Sequence, residues 1–138
     1  MPHIGLGRIY WFSAAHRLHS PSLSDAENFK IYDKCNNING HGHDYKLEVT
    51  VRGEPHPATG MIISLAELDR IVNDLLKTMD YKHLNRETEF FKNHIATGEI
   101  IIQFLWQELD KRLPRNMLYH LKLWETNNNY FETGREII

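Results

Sequence analysis

The sequence predicts an α+β domain in which an antiparallel sheet carries two helices on one face. Apolar and polar side chains alternate along residues 44–52 and 117–126, which is typical of half-buried strands. Residues 64–79 and 97–113 instead repeat their apolar side chains at helical spacing. Strands therefore precede and follow the two helices, and we expect a four-stranded sheet in a single domain that spans residues 1–138.

The remaining elements follow from local composition. A first strand is expected at residues 9–16, where β-forming aromatic side chains cluster. The side chains predicted to share its inward face are Tyr10, Phe12, Ala14 and His16. Residues 17–42 show no sustained period and predict a long loop with a short helix at residues 24–32. Short strands are also expected at residues 61–63 and 130–133.

A capping motif is predicted at the start of the first long helix. Ser64 and Glu67 form a Ser-x-x-Glu capping box, which marks a helix N-terminus.

Two helices cover only one face of a sheet. A partner subunit is therefore expected on the other face, where the alternation places Trp11, Leu118 and Trp124.

Composition argues against several classes of protein. Hydrophobic residues make up 41% and charged residues 25% of the chain, which is the balance of a globular protein. No apolar stretch approaches the ~20 residues that span a bilayer, so no membrane partner is expected. The net charge of −2 offers no basic excess for binding a nucleic-acid backbone. A single cysteine fits a reducing compartment, so we expect a cytoplasmic location.

Three of the nine histidines can converge on one point. His41 and His43 are two residues apart at the entry to a strand, so their side chains point to the same face. His16 ends the first strand, with 24 residues between it and His41. Imidazole is a good zinc ligand, and three protein ligands leave a fourth position for water or substrate. The pattern predicts an open metal site of the catalytic type; the alternative is a polar His-Gly-His loop beside a buried histidine.

The only cysteine lies on the loop between these histidines. Cys35 follows Lys34, whose charge favours the thiolate form, and the loop gives access to solvent. Cys35 is therefore a candidate for proton transfer. The rival interpretation makes it a fourth metal ligand in a closed structural site.

Three more titratable side chains stand out. Asp80 and His83 follow the first helix, where a carboxylate can orient an imidazole for proton transfer, although a polar helix end has the same composition. Glu125 lies on the apolar face of the last long strand, where a carboxylate needs hydrogen-bond donors. It suggests a ligand with two neighbouring N–H groups, such as the edge of a pterin or purine. The alternative is a glutamate in water at the end of the strand.

A longer signal runs through most of the chain. It consists of FSAAHRL at residues 12–18, LSDAEN at 23–28, KCNNINGHGHDY at 34–45, PATGM at 57–61 and WETNN at 124–128. In this order the segments resemble the eukaryotic type of the 6-pyruvoyl-tetrahydropterin synthase family, rather than the shorter bacterial 6-carboxytetrahydropterin synthases. The run from the cysteine to the two histidines is the most specific part of the resemblance.

The resemblance implies a T-fold domain whose sheets join between subunits into a barrel, with two trimers stacked into a homohexamer. It implies that His16, His41 and His43 hold Zn²⁺. It also implies that Cys35 is the proton acceptor and that Glu125 anchors the pterin. The implied reaction belongs to tetrahydrobiopterin biosynthesis: triphosphate is eliminated from 7,8-dihydroneopterin triphosphate, and hydrogens are redistributed between ring and side chain.

The chain departs from the family pattern at two places. Asp80 matches the family's catalytic aspartate, but Tyr81 occupies the position of the histidine that follows it. We expect His83, held by Asp80, to take the proton role; the alternatives are Tyr81 in that role or a reduced activity. The family's substrate-binding Thr–Thr–Glu run is matched only by Thr97 and Glu99, with glycine between them.

Two other functions stay open on the sequence. One is a pterin enzyme of the same fold with another product, by side-chain cleavage or as a 6-carboxytetrahydropterin synthase. The other is a non-catalytic pterin-binding protein. Cys35 argues against the second, because binding alone needs no thiolate.

Overall fold

The computed structural model describes residues 3–136 and contains a five-stranded sheet with helices packed against one face. The strands are β1 (Ile4–His16), β2 (His41–Gly53), β3 (Lys82–His83), β4 (Leu118–Thr126) and β5 (Asn129–Gly134). Their order is β3-β1-β2-β4-β5, and the sheet is not closed within one chain. All pairs are antiparallel except the short β3, which runs parallel to the end of β1.

The predicted α+β class and the long antiparallel strands are confirmed, whereas the details of the short strands differ. β3 is two residues long, too short for any periodic pattern in the sequence. The strand expected at residues 61–63 is absent, because this stretch forms bends and closes a turn in which the His56 N–H donates to the Met61 carbonyl. Of the predicted domain, residues 1–2 and 137–138 lie outside the described part of the chain.

The two long helices are the predicted ones. The helices are α1 (Asp25–Tyr32), α2 (Leu65–Leu76), α3 (Leu84–Glu87), α4 (Glu89–Lys92) and α5 (Gly98–Arg112). The apolar sides of α2 and α5 join the inward faces of β1, β2 and β4 in one core. Within residues 3–136, no helix is both long and apolar enough to cross a membrane.

The capping box predicted at the start of α2 is only half present. The Ser64 hydroxyl accepts from the Glu67 N–H, but the Glu67 carboxylate accepts from Arg70 instead of turning back to the cap. The complete reciprocal box begins α1, where Ser24 and Glu27 exchange both bonds. The exposed Arg70 competes for the carboxylate on α2, because an i, i+3 pair lies on the same side of a helix.

The outer face of the sheet differs from the prediction at Leu118, which is fully buried. Val51 pairs with Leu118 but Thr50 pairs with His120, so Tyr119 is an extra residue in β4. Such a bulge reverses the alternation on one side of it, which simple counting along the strand cannot reveal. Both tryptophans of the predicted outer face lie outside the core, in agreement with the alternation.

Gly98 provides a test of the packing between α5 and β5. A Cβ atom at residue 98 would overlap the ring of Phe131. We therefore expect Gly98→Ala to lower the free energy of unfolding by about 1–3 kcal/mol, the usual cost of overpacking, and to lower the melting temperature. Gly5→Ala is the matched control, since its Cβ would have no neighbour nearer than 3.8 Å. Equal melting temperatures for the two variants would contradict this packing.

Candidate metal centre and adjoining cavity

The pairing of β1 with β2 brings three histidines together at one end of the sheet. His16 is the pairing partner of His41, and His43 lies two residues further along β2 on the same face. One ligand nitrogen from each ring lies within 4.8 Å of the other two. His16 Nε2 is 3.1 Å from His41 Nε2. Two nitrogen ligands of a tetrahedral zinc ion are separated by about 3.3 Å, so the rings are placed to share one ion.

The surroundings of His16 keep its imidazole in the form that binds a metal. Its Nδ1 lies 2.6 Å from the carbonyl oxygen of Ala96, to which it donates, so Nε2 is left as the acceptor. The ring is 1% exposed, and burial lowers the pKa of His16 to about 4, with further lowering from the charges of His41, His43 and His83. Burial also lowers the pKa of His41. Neutral imidazoles are the metal-binding species.

His43 provides the clearest sign that the site fits a metal ion. Its Nε2 is buried and has no hydrogen-bond partner among residues 3–136. A buried polar atom without a partner is destabilising unless a ligand satisfies it. The donor set of three imidazole nitrogens is one that zinc accepts while keeping an open coordination position.

Tyr45 adds a functional group that the sequence interpretation assigned to the core. It is fully buried, and its ring lies edge-on to the rings of His16 and His43. Its hydroxyl has no hydrogen-bond partner in the described part of the chain. Burial raises the pKa of Tyr45, and the charges of Glu125 and Cys35 raise it further. The group therefore stays protonated and can donate one hydrogen bond to a ligand. The only sequence signal was its place two residues after His43.

Cys35 lies in the wall of a cavity of about 680 Å³ that adjoins the histidines. The residues that line this cavity are Phe29, Asp33, Lys34, Cys35, Asn36, Asn37, Gly40, His41 and His43. Cys35 belongs to a short 3₁₀ turn, Asp33–Asn36, and its carbonyl accepts from the N–H of Leu18. The group of converging metal ligands contains the three histidines without Cys35. The structure thus brings the predicted thiol next to the predicted metal site.

The protonation of Cys35 differs from the sequence interpretation. Lys34 was expected to favour the thiolate, but burial raises the pKa of the Cys35 thiol, and the charges of Glu125 and Asp33 raise it further. Lys34 is exposed on the surface, where water screens its charge. In the chain alone, the thiol is the favoured form.

Glu125 lies on the same face as the buried Leu121 and Leu123, near the end of β4. The last regular pair between the strands joins Lys46 and Trp124, so Glu125 follows at the level of Tyr45. Its charge acts on Cys35, His41 and Tyr45. The charge of the carboxylate predicted to anchor a ligand therefore acts on residues of the site, although Glu125 is not among the residues that line the cavity.

Asp80 and His83 are not paired with each other. The Asp80 carboxylate accepts from the backbone N–H of Ser13 at 2.8 Å. Both ring nitrogens of His83 are buried, and neither has a hydrogen-bond partner among the residues that the structure describes. Helix α2 ends at Leu76, so the helical turn that would align the two side chains is absent. Tyr81 has a φ of 57° and is 87% exposed. The expectation that Asp80 holds His83 is therefore wrong in its geometry.

Thr97 and Glu99 are not among the residues that line the cavity. Thr97 is the N-cap of α5, with its hydroxyl accepting from the Ile100 N–H, and Glu99 is exposed in the first turn. The preceding Ala96 contacts His16. The glycine between Thr97 and Glu99 is explained by the Phe131 ring, which leaves no room for a side chain.

Fold and site together define an α+β protein in which three histidines could hold a metal ion, beside a cavity whose wall contains a cysteine. The family model described as 6-pyruvoyl tetrahydropterin synthase matches residues 6–136. The chain therefore belongs to the 6-pyruvoyl tetrahydropterin synthase family.

Individual relatives agree with this assignment. The chain is 46% identical to the human 6-pyruvoyl tetrahydrobiopterin synthase over 119 residues, which cover 86% of this chain and 82% of the human one. It superimposes on the solved structure of Caenorhabditis elegans 6-pyruvoyl tetrahydropterin synthase with a TM-score of 0.92, at 41% identity and over 97% and 96% of the two chains. The Plasmodium falciparum enzyme shares the fold, with a TM-score of 0.65 at 13% identity over 95% and 96% of the chains.

The metal site leads to a first prediction about ligands. We expect one metal ion per chain, measured by elemental mass spectrometry of the purified protein. His43→Ala should lose the ion because it removes one of three ligands, whereas Cys35→Ala should retain it because Cys35 lies outside the ligand group. A complete loss in both variants would show a closed site with the thiolate as fourth ligand.

Proposed function

We propose that this chain is a zinc-dependent 6-pyruvoyl-tetrahydropterin synthase. The reaction eliminates triphosphate from 7,8-dihydroneopterin triphosphate and redistributes hydrogens between the pterin ring and its side chain, a carbon–oxygen lyase step of tetrahydrobiopterin biosynthesis. The observation that carries the proposal is the convergence of His16, His41 and His43 beside the cavity of Cys35. The 46% identity to the human 6-pyruvoyl tetrahydrobiopterin synthase supports a pterin substrate.

The three histidines would hold the zinc ion through their ring nitrogens. A zinc ion bound there would polarise the side-chain hydroxyls of the substrate and lower the pKa of the Cys35 thiol. Cys35 would then accept a proton from a carbon of the substrate side chain. Since the chain alone keeps the thiol protonated, loss of that proton has to accompany metal or substrate binding.

Other residues would bind and orient the pterin. Glu125 would accept hydrogen bonds from the amino group and ring N–H of the pterin, in the manner of a carboxylate that receives two parallel N–H groups. The protonated hydroxyl of Tyr45 would donate to the bound ligand. Thr97 and Glu99 are proposed as further substrate contacts, on the basis of the family resemblance alone.

Assembly and location are part of the proposal. A homohexamer built as a dimer of trimers would pair open sheet edges between subunits. Such edges are available, because within residues 3–136 β5 pairs only with β4 and the outer edge of β1 is covered only at residues 14–15. The exposed Trp11, at 63%, supports coverage by a partner subunit. The single free cysteine supports a cytoplasmic location.

The decisive experiment is incubation of the zinc-loaded protein with 7,8-dihydroneopterin triphosphate. Mass spectrometry should identify 6-pyruvoyl-tetrahydropterin, with one inorganic triphosphate released per pterin, and Cys35→Ala should abolish the reaction. A 6-carboxytetrahydropterin or a cleaved side chain would assign the same site to another reaction. Tight pterin binding without turnover would indicate a binding protein.

Glu125 gives a prediction about affinity. Glu125→Ala should weaken neopterin binding by ~2–4 kcal/mol, the range for breaking a charged hydrogen-bonded pair. Glu125→Gln should also bind poorly, because an amide donates where only an acceptor is needed. The measurement is fluorescence titration with neopterin. The control is Glu132→Gln on β5, because Glu132 is not among the charges that act on Cys35, His41 or Tyr45. Equal affinity in all variants would show that Glu125 does not contact the ligand.

His83 gives a prediction about turnover. Its unpaired imidazole titrates nearer neutral pH than a tyrosine hydroxyl, and burial lowers its pKa, with Arg86 adding to the effect. We expect His83→Ala to reduce turnover by ~10²–10⁴-fold, the scale of a lost acid or base, with unchanged zinc content and oligomer size. Tyr81→Phe should reduce turnover much less than His83→Ala does.

The control for this prediction is His56→Ala, an exposed histidine whose Nδ1 accepts from the Ala58 N–H. The reverse ranking of His83→Ala and Tyr81→Phe would assign proton transfer to Tyr81. Normal turnover in both variants would exclude either residue from proton transfer.

A further inference from the structure

A second cavity, of about 490 Å³, has an unusual composition. The basic side chains in its wall are Arg17, His19, His83, Arg86, Lys92 and His94. The other lining residues are neutral, and the wall contains no aspartate or glutamate. The whole chain has more acidic than basic residues, 18 against 16, so this segregation is not a consequence of composition. We call it the basic cavity.

The two guanidinium groups in this wall are not neutralised within residues 3–136. Arg17 Nε donates to the Asn36 carbonyl at 3.0 Å, and Arg86 Nη2 donates to the Ile38 carbonyl at 2.9 Å. Neither forms an ion pair with a carboxylate in the described part of the chain. A guanidinium has five N–H donors, so most donors of both groups stay available. Lys92 is the exception in the wall, since it lies 3.1 Å from Glu89.

Neighbouring contacts direct further donors to the basic cavity. Asn36 Nδ2 lies 3.1 Å from His19 Nδ1, and the amide donates there, so His19 carries its proton on Nε2. The Asn85 carbonyl oxygen accepts from the Arg17 backbone N–H at 2.8 Å, which leaves the Asn85 amino group as a donor. Positive charge and several N–H donors around one volume are the features that bind phosphate groups.

The basic cavity and the cavity of Cys35 share no lining residue. The stretch that separates them, residues 33–40, is the loop that carries Cys35. Arg17 and Arg86 hold this loop through the carbonyls of Asn36 and Ile38. An anion bound by the two arginines would therefore also contact the groups that position Cys35.

We propose that the basic cavity binds a polyphosphate group, the chemistry shared by the triphosphate arm of the proposed substrate and by free inorganic triphosphate. The residues that line the basic cavity are enough to indicate an anionic ligand of this class. Its link to the pterin reaction rests on the proposed function. Arg17 and Arg86 supply positive charge, and the N–H donors of His19 and Asn85 orient the bound phosphate group.

Calorimetric titration with inorganic tripolyphosphate tests the site without any need for turnover. The wild type should bind one anion per chain, and Arg86→Ala should bind about tenfold more weakly or worse, as expected for a lost charge-assisted contact. Arg86 is exposed, so the variant should fold. Arg70→Ala removes the same charge from α2, outside the wall, and should bind like the wild type.

Two results would overturn the site: no binding to the wild type, or the same loss in Arg70→Ala as in Arg86→Ala. A further control distinguishes binding in the basic cavity from binding to a metal ion, because polyphosphates also bind zinc. His43→Ala, or wild type freed of metal by a chelator, should bind tripolyphosphate like the untreated protein. Loss of binding in the metal-free samples would place the anion on the metal and overturn the proposal.

Kinetics with the triphosphate substrate then distinguish the two sources of the anion. If the substrate arm occupies the basic cavity, Arg86→Ala should raise KM about tenfold and tripolyphosphate should inhibit competitively. If only free triphosphate binds there, KM should stay unchanged and inhibition should be non-competitive. Both results support the site. A chain that binds tripolyphosphate but converts no pterin would contradict the proposed function while leaving the anion site in place.

Discussion

The register of β1 against β2 is the constraint on which the metal site depends. The two strands pair without interruption from Ile4 opposite Gly53 to His16 opposite His41. Because side chains alternate along a strand, the same register buries Tyr10 and Phe12 and turns His16 toward the other histidines. A slip by one residue would expose the aromatic core residues and separate the ligands. The hydrophobic core therefore enforces the geometry of the site.

The loop between these strands is held by polar contacts rather than by a core of its own. The buried Asn28 binds the backbone of Ser20 and Ser24 through its amide. Gly40 closes the loop with a φ of +75°, and a Cβ there would lie 2.7 Å from His83 Nε2. This close approach brings the loop of Cys35 against the histidines. Burial lowers the pKa of His16 and His41 and raises the pKa of the Cys35 thiol, and a bound cation would alter these pKa values.

Much of the fold and of the site could be predicted from the sequence, because these features depend on local spacing. Strand parity aligned His41 with His43 and placed His16 on an inward face, and the structure brings the three together. Helical periodicity predicted α2 and α5 together with their buried sides. The position of Glu125 on an apolar face indicated a role near the site, and in the structure its charge raises the pKa of the Cys35 thiol.

The sequence by itself thus determined which residues share a face, whereas tertiary structure decided which faces meet. Asp80 binds the backbone of Ser13 instead of His83, because the chain leaves the helix and docks beside β1. The bulge at Tyr119 buries Leu118, since register depends on the neighbouring strand. The basic cavity joins residues from distant segments of the chain. Such contacts leave no period in the sequence, because they arise only when separately formed elements pack together.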